Sequence, residues 1–98
     1  MARYVPRSTQ RARKQLSEHL VTWRKLQRLT SAQVAERAGI ARATYSRLEN
    51  GEDISLLAFL EVLRALGIQK DLITALDPYE TDMGRLRADE QLPIRVRS

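Results

Sequence analysis

A chain of 98 residues, 43% of them hydrophobic, can build one compact core and is too short for two. It has no cysteine and a single histidine, His19, which excludes disulfides, thiolate metal sites and a histidine cluster. The net charge of +5 is lopsided: residues 1–28 carry eight Lys and Arg against Glu18 alone, whereas residues 52–78 carry Arg64 and Lys70 against five acids. A basic end on a small domain points to a polyanion, first nucleic acid and then an acidic protein or membrane surface. The longest apolar stretch, Leu56 to Leu60, falls far short of the roughly 20 residues of a membrane span. No apolar run follows Arg3, Arg7, Arg11, Arg13 and Lys14, so these residues read as a basic arm and not as a secretory leader, and a cytoplasmic, nucleoid-associated protein is expected.

In chain order, Leu16, Leu20, Trp23 and Leu26 recur at spacings of four and three, which predicts a first helix from Thr9 to Arg28 with that stripe in the core. A short second helix follows Thr30, whose hydroxyl can accept from the Gln33 amide while the Gln33 side chain returns the bond, a capping box. Val34, Ala35 and Ala38 then face inward, and Gly39 ends it. A turn through Gly39, Ile40 and Ala41 leads to a third helix, Arg42 to Glu49, anchored by Tyr45 and Leu48 and stopped by Asn50 and Gly51. Ser55 caps a fourth helix, Leu56 to Leu66, polar only at Glu61 and Arg64 and therefore central, with any surplus apolar face set against a second subunit. A fifth helix, Lys70 to Leu76, stops before Pro78. In the tail, Arg85 to Glu90 can make one or two helical turns, and Leu92 to Val96 is expected to be extended. The fold class is thus all-α, five helices in one domain at 9–77, flanked by a basic arm at 1–8 and an extension at 78–98.

The segment LTSAQVAERAGIARATYSRLENG, residues 29–51, resembles the helix-turn-helix of the lambda-repressor/Cro-like (XRE) family, with the motif itself at 31–50. The residues support the likeness physically. Two helices joined by so short a turn cross steeply, so Ala35 must be small and Gly39 must take a backbone that most residues resist. With Tyr45 and Leu48 inside, the third helix is left with Arg42, Ala43, Thr44, Ser46 and Arg47 on its outer face, polar and positive, suited to base edges in the major groove. The resemblance implies that these five read bases, and that Ser31, Gln33, Asn50, Arg11, Arg13 and Lys14 bind phosphate. It further implies a structural ion pair between Arg24 and Glu49. Two positions depart from the family pattern: Ala41 stands where a capping serine commonly begins the recognition helix, and Ser31 where a longer glutamine commonly reaches phosphate.

The function expected is a repressor that binds a palindromic operator in double-stranded DNA as a homodimer, joined through the fourth and fifth helices by Leu72, Ile73 and Leu76. Trp23 and Tyr45 lie on apolar stripes and read as core, not as stacking platforms, while His19 reads as a solvated helix residue. Residues 76–97, LDPYETDMGRLRADEQLPIRVR, resemble the extensions of HipB-like antitoxins, which implies a HipA-type kinase toxin as a second partner. No activated nucleophile, paired catalytic carboxylates or phosphate-cradling glycine loop is present, and no metal or cofactor is expected, so an enzyme is not. A protein-interaction module without DNA binding is the remaining alternative.

Overall fold

A computed structural model describes residues 4–88. Within them the chain forms α1 (Arg7–Leu26), α2 (Ser31–Ala38), α3 (Arg42–Glu49), α4 (Leu56–Leu66), α5 (Gln69–Leu76), a single 3-10 turn (Pro78–Glu80) and α6 (Asp82–Leu86), with no strand among the described residues. The expectation for Leu92 to Val96 lies outside these residues, as does Arg3.

Local chemistry accounts for most helix boundaries. Thr30 Oγ1 accepts from the Gln33 amide at 3.1 Å while Gln33 Oε1 accepts from the Thr30 amide at 2.8 Å, the reciprocal box that starts α2. Gly39 ends α2 at φ +70°, and the Ile40 amide then closes onto the Ala35 carbonyl at 3.0 Å. Ser55 Oγ accepts from the Ala58 amide at 3.0 Å to start α4.

Helix α1 departs from expectation at both ends. It begins two residues early, at Arg7, because Pro6 takes the extended backbone of an N-cap and its carbonyl accepts from the Gln10 amide at 3.0 Å. It ends at Leu26 because Arg28 turns left-handed at φ +59°, which lets the Leu29 amide reach the Arg24 carbonyl at 3.0 Å. A non-glycine residue in that region is strained by about 1–2 kcal/mol. One consequence is that Arg7, expected on the arm, stands on the same helix as Arg11, Arg13 and Lys14.

The core comprises Leu20, Val34, Ala35, Ala38, Tyr45, Leu48, Val62, Leu63 and Leu66, with Ile40, Phe59, Ile68 and Leu72 among the side chains packed on it. Helix α4 is central as expected and packs most extensively on α2. The predicted stripe of α1 is corrected: Leu20 alone is buried, whereas Leu16, Trp23 and Leu26 are exposed, Trp23 by 43%. The docking face lies one sector round the helix, at Arg13, Ser17, Leu20, Arg24 and Gln27, which fall within about 80° at 100° per residue. Four of these five are polar, and each of the four bonds across to another part of the domain. Arg13 pairs with Asp53, Arg24 with Glu49, and Gln27 Nε2 donates to the Leu66 carbonyl at 2.7 Å, closing the end of α4. Ser17, 3% exposed, donates to the Leu48 carbonyl at 2.6 Å near the end of α3.

After α5 the chain folds on itself. The Asp77 carboxylate accepts from the Tyr79 amide at 2.9 Å, Thr81 Oγ1 accepts from the Gly84 amide at 3.0 Å, and Arg85 Nε donates to the Tyr79 carbonyl at 3.0 Å. A Cβ at Gly84 would stand 1.8 Å from the Pro78 carbonyl oxygen, so the turn and α6 touch through bare backbone. Helix α6 lies earlier than the Arg85 to Glu90 turn expected, because Thr81 caps it.

Ser17→Ala removes the α1–α3 hydroxyl bond and is expected to destabilise the domain by about 1 kcal/mol, the Leu48 carbonyl retaining the Gly51 amide at 3.0 Å. Urea unfolding followed by circular dichroism measures it.

Candidate nucleic-acid interface

Helix α3 is held from behind. Tyr45 and Leu48 are buried three residues apart, one turn of the helix, and Tyr45 is wholly enclosed. That placement turns Arg42, Ala43, Ser46 and Arg47 to solvent, with Thr44 half-buried at the edge. All five expected base-reading residues therefore lie on or beside one outward face. As the sequence suggests, Ala41 supplies no side-chain cap, so the first amides of α3 are left open where Arg42 begins.

An open groove alongside is lined by Arg7, Arg11, Arg13, Lys14 and Glu18 from α1 and by Glu49, Asn50 and Gly51 at the end of α3, four cations against two acids. Four of the six expected phosphate-binding residues, Arg11, Arg13, Lys14 and Asn50, thus converge on one basic surface. The other two, Ser31 and Gln33, sit at the start of α2, outside that groove. Gln33 Oε1 and its backbone amide are both committed to the capping box, which leaves the side-chain Nε2 available. The Ser31 hydroxyl lies 3.4 Å from the Glu49 carboxylate, a long bond that turns it toward the protein.

Behind this surface, Arg24 Nε donates to Glu49 Oε2 at 2.7 Å and Arg24 Nη1 to the Leu29 carbonyl at 3.0 Å, tying α1 to the end of α3 and to the approach to α2. The bond from the Glu49 carboxylate raises the Arg24 pKa further above its ordinary value. The Tyr45 hydroxyl is buried beside this pair without a hydrogen-bond partner. Burial first, and then the neighbouring Glu49 carboxylate, push its pKa well above the usual phenol value.

Three features escape sequence reasoning: the buried Ser17, the Gln27 bond to α4, and two pairings of candidate DNA-contacting arginines with the α3–α4 loop. Arg13 Nη1 lies 2.6 Å from Asp53 Oδ1, and Arg47 Nε lies 4.0 Å from Glu52 Oε1. Among the described residues there is no cluster of His, Cys, Asp and Glu able to hold a metal ion, and no helix long and apolar enough to cross a membrane.

The helix-turn-helix family model matches residues 20–73, from Leu20 in α1 to Ile73 in α5. The chain belongs to that family, the helix-turn-helix proteins of Cro/C1 (XRE) type. Comparison with curated proteins and with solved structures gives no significant match. Membership makes this helix-turn-helix protein a DNA-binding regulator, and the surface just described is where such a domain has polar, positive groups to offer.

The buried phenol has a pH signature. Unfolded tyrosine loses its proton near pH 10.0, whereas folded Tyr45 holds it to higher pH, so the folded state binds more protons above pH 10 and stability falls as pH rises through that window. Tyr45→Phe is expected to be neutral or stabilising by up to about 1 kcal/mol, since it removes a buried hydroxyl without a partner, and to show a shallower loss of stability in base. Urea midpoints between pH 8 and 11 for both proteins check this.

Proposed function

We propose that this helix-turn-helix protein is a sequence-specific repressor that binds a palindromic operator as a homodimer, α3 entering the major groove of each half-site. The outward face of α3 carries the reading: with Tyr45 and Leu48 enclosed, Arg42, Ala43, Thr44, Ser46 and Arg47 are what the helix can present. In this reading Arg42 and Arg47 bond guanine O6 and N7, and the methyl groups of Ala43 and Thr44 meet thymine methyls. Arg11, Arg13, Lys14 and Asn50 grip one stretch of backbone, while the Ser31 hydroxyl, on leaving its long bond to Glu49, and Gln33 Nε2 grip another at the start of α2. The organisation is a short basic stretch at 1–8, the DNA-binding domain at 9–77 and an extension at 78–98, in a cytoplasmic protein.

Dimers of such domains bind half-sites about 34 Å apart, and doubling the contacts raises affinity into a useful range. Ile73 and Leu76 on α5 are exposed and Leu72 is half-buried beside them, an apolar face that supports an interface there. The tail supports a second partner. The turn and α6 expose Tyr79, Met83 and Leu86, none of which lines the basic groove, and this suits a protein ligand and fits the resemblance to antitoxins that bind HipA-type kinase toxins.

Arg42→Ala is expected to cost about 1–3 kcal/mol on the operator and to relax preference at one base position, whereas Arg11→Ala weakens all duplexes alike and flattens the salt dependence by about one charge. Selection of bound genomic fragments gives the operator, and fluorescence anisotropy on operator and mixed-sequence duplexes separates the two effects. Equal losses on both duplexes for Arg42→Ala would remove it from the reading set. For the dimer, light scattering at micromolar concentration is expected to give twice the chain mass, and Leu76→Glu to lower it to one; a wild-type monomer would count against the interface.

A further inference from the structure

Among the described residues, the other ion pairs involve none of the residues proposed to contact DNA: Arg24 with Glu49 between helices, Arg64 with Glu61 on α4, and Arg85 with Glu80 and Asp82 in the tail. The pairs at Arg13 and Arg47 are different. Both arginines belong to the proposed DNA-contacting surface, they come from different helices, and both carboxylates come from two consecutive residues of one loop. Gly51 turns that loop at φ +75°, and the Glu52 amide then donates to the Arg47 carbonyl at 2.9 Å, which holds the loop against the end of α3. Asp53 reaches Arg13 on α1 across forty positions of sequence, although its own side chain is 83% exposed.

We infer that Asp53 competes with DNA phosphate for Arg13, and Glu52 with base edges for Arg47, and that the two carboxylates so penalise duplexes that offer the protein backbone contacts but no matching bases. The inference rests on the DNA-binding reading above and adds a residue class to it, acidic groups that act on specificity. Exposed pairs of this kind are weak, so the arginines are released readily when base contacts repay the exchange. On a mixed-sequence duplex nothing repays it. There Arg13 either stays with Asp53 or leaves two like charges, carboxylate and phosphate, side by side. Arg13 is the better test, since its bond is short whereas Arg47 only approaches Glu52.

The experiment measures binding of the full chain to the selected operator and to a mixed-sequence duplex over a range of salt, for the wild type, Asp53→Asn, Arg13→Ala and the double variant, with thermal melts to show that each is folded. An equal gain on the two duplexes for Asp53→Asn would overturn the effect on specificity. On the mixed-sequence duplex, Asp53→Asn is expected to tighten binding about two- to fivefold, and to steepen the log–log salt slope by about 0.9, one additional phosphate contact. In the Arg13→Ala background the same substitution is expected to give no gain beyond that of a distant control, Asp71→Asn. An equal gain with and without Arg13 would reduce the effect to net charge and overturn the inference. A loss of affinity in Asp53→Asn would overturn it the other way, by showing that Asp53 steers Arg13 onto the phosphate. A wild type that binds no duplex would sink the DNA-binding reading and this inference together, whereas normal wild-type binding with the outcomes just named sinks the inference alone.

Discussion

Arg24 is the point at which three parts of the domain meet. From α1 its guanidinium binds the Glu49 carboxylate at the end of α3 and the Leu29 carbonyl ahead of α2. Both members of the pair are half-buried, so removing either leaves a partly shielded charge without its partner. The pair also has a geometric effect. It fixes how α1 lies against α3, and that orientation brings Arg11, Arg13 and Lys14 beside Asn50 in one groove. The orientation of the basic surface thus depends on a contact that itself faces inward.

Much of the fold is legible in the sequence because its punctuation is local. The box at Thr30 and Gln33, the cap at Ser55 and the glycine stop at Gly39 each act within four residues, so reading them requires no knowledge of tertiary structure. Helix α1 is the exception. Apolar periodicity finds the side of a helix that avoids water, but α1 docks with a side that is mostly polar, and Ser17, Arg24 and Gln27 look like surface until their partners are in place. Leu16 and Trp23, which make the stronger stripe, instead border a shallow apolar groove with Phe59, Leu63 and Leu72. The end of α1 was equally hidden, since an arginine gives no sign that it will turn left-handed.

The candidate site divides along the same line. The outward set on α3 follows from the inward pair Tyr45 and Leu48, because helical spacing leaves little choice once the anchors are known. The convergence of α1 residues with Asn50 does not follow, and neither does the reach of Asp53 to Arg13. Those contacts join positions far apart in sequence, and only the packing of α1 against the end of α3 brings them together.

The backbone contact at Gly84 gives the molecule a seam. Beyond Asp77 the 3-10 turn and α6 bond chiefly to each other, through Thr81, Arg85 and the bare glycine, and add nothing to the buried cluster around Val62. A change there can undo the turn and α6 while the helices that shape the basic surface keep their arrangement. The apolar side chains there, Tyr79, Met83 and Leu86, can therefore be exchanged without disturbing the helices of the core.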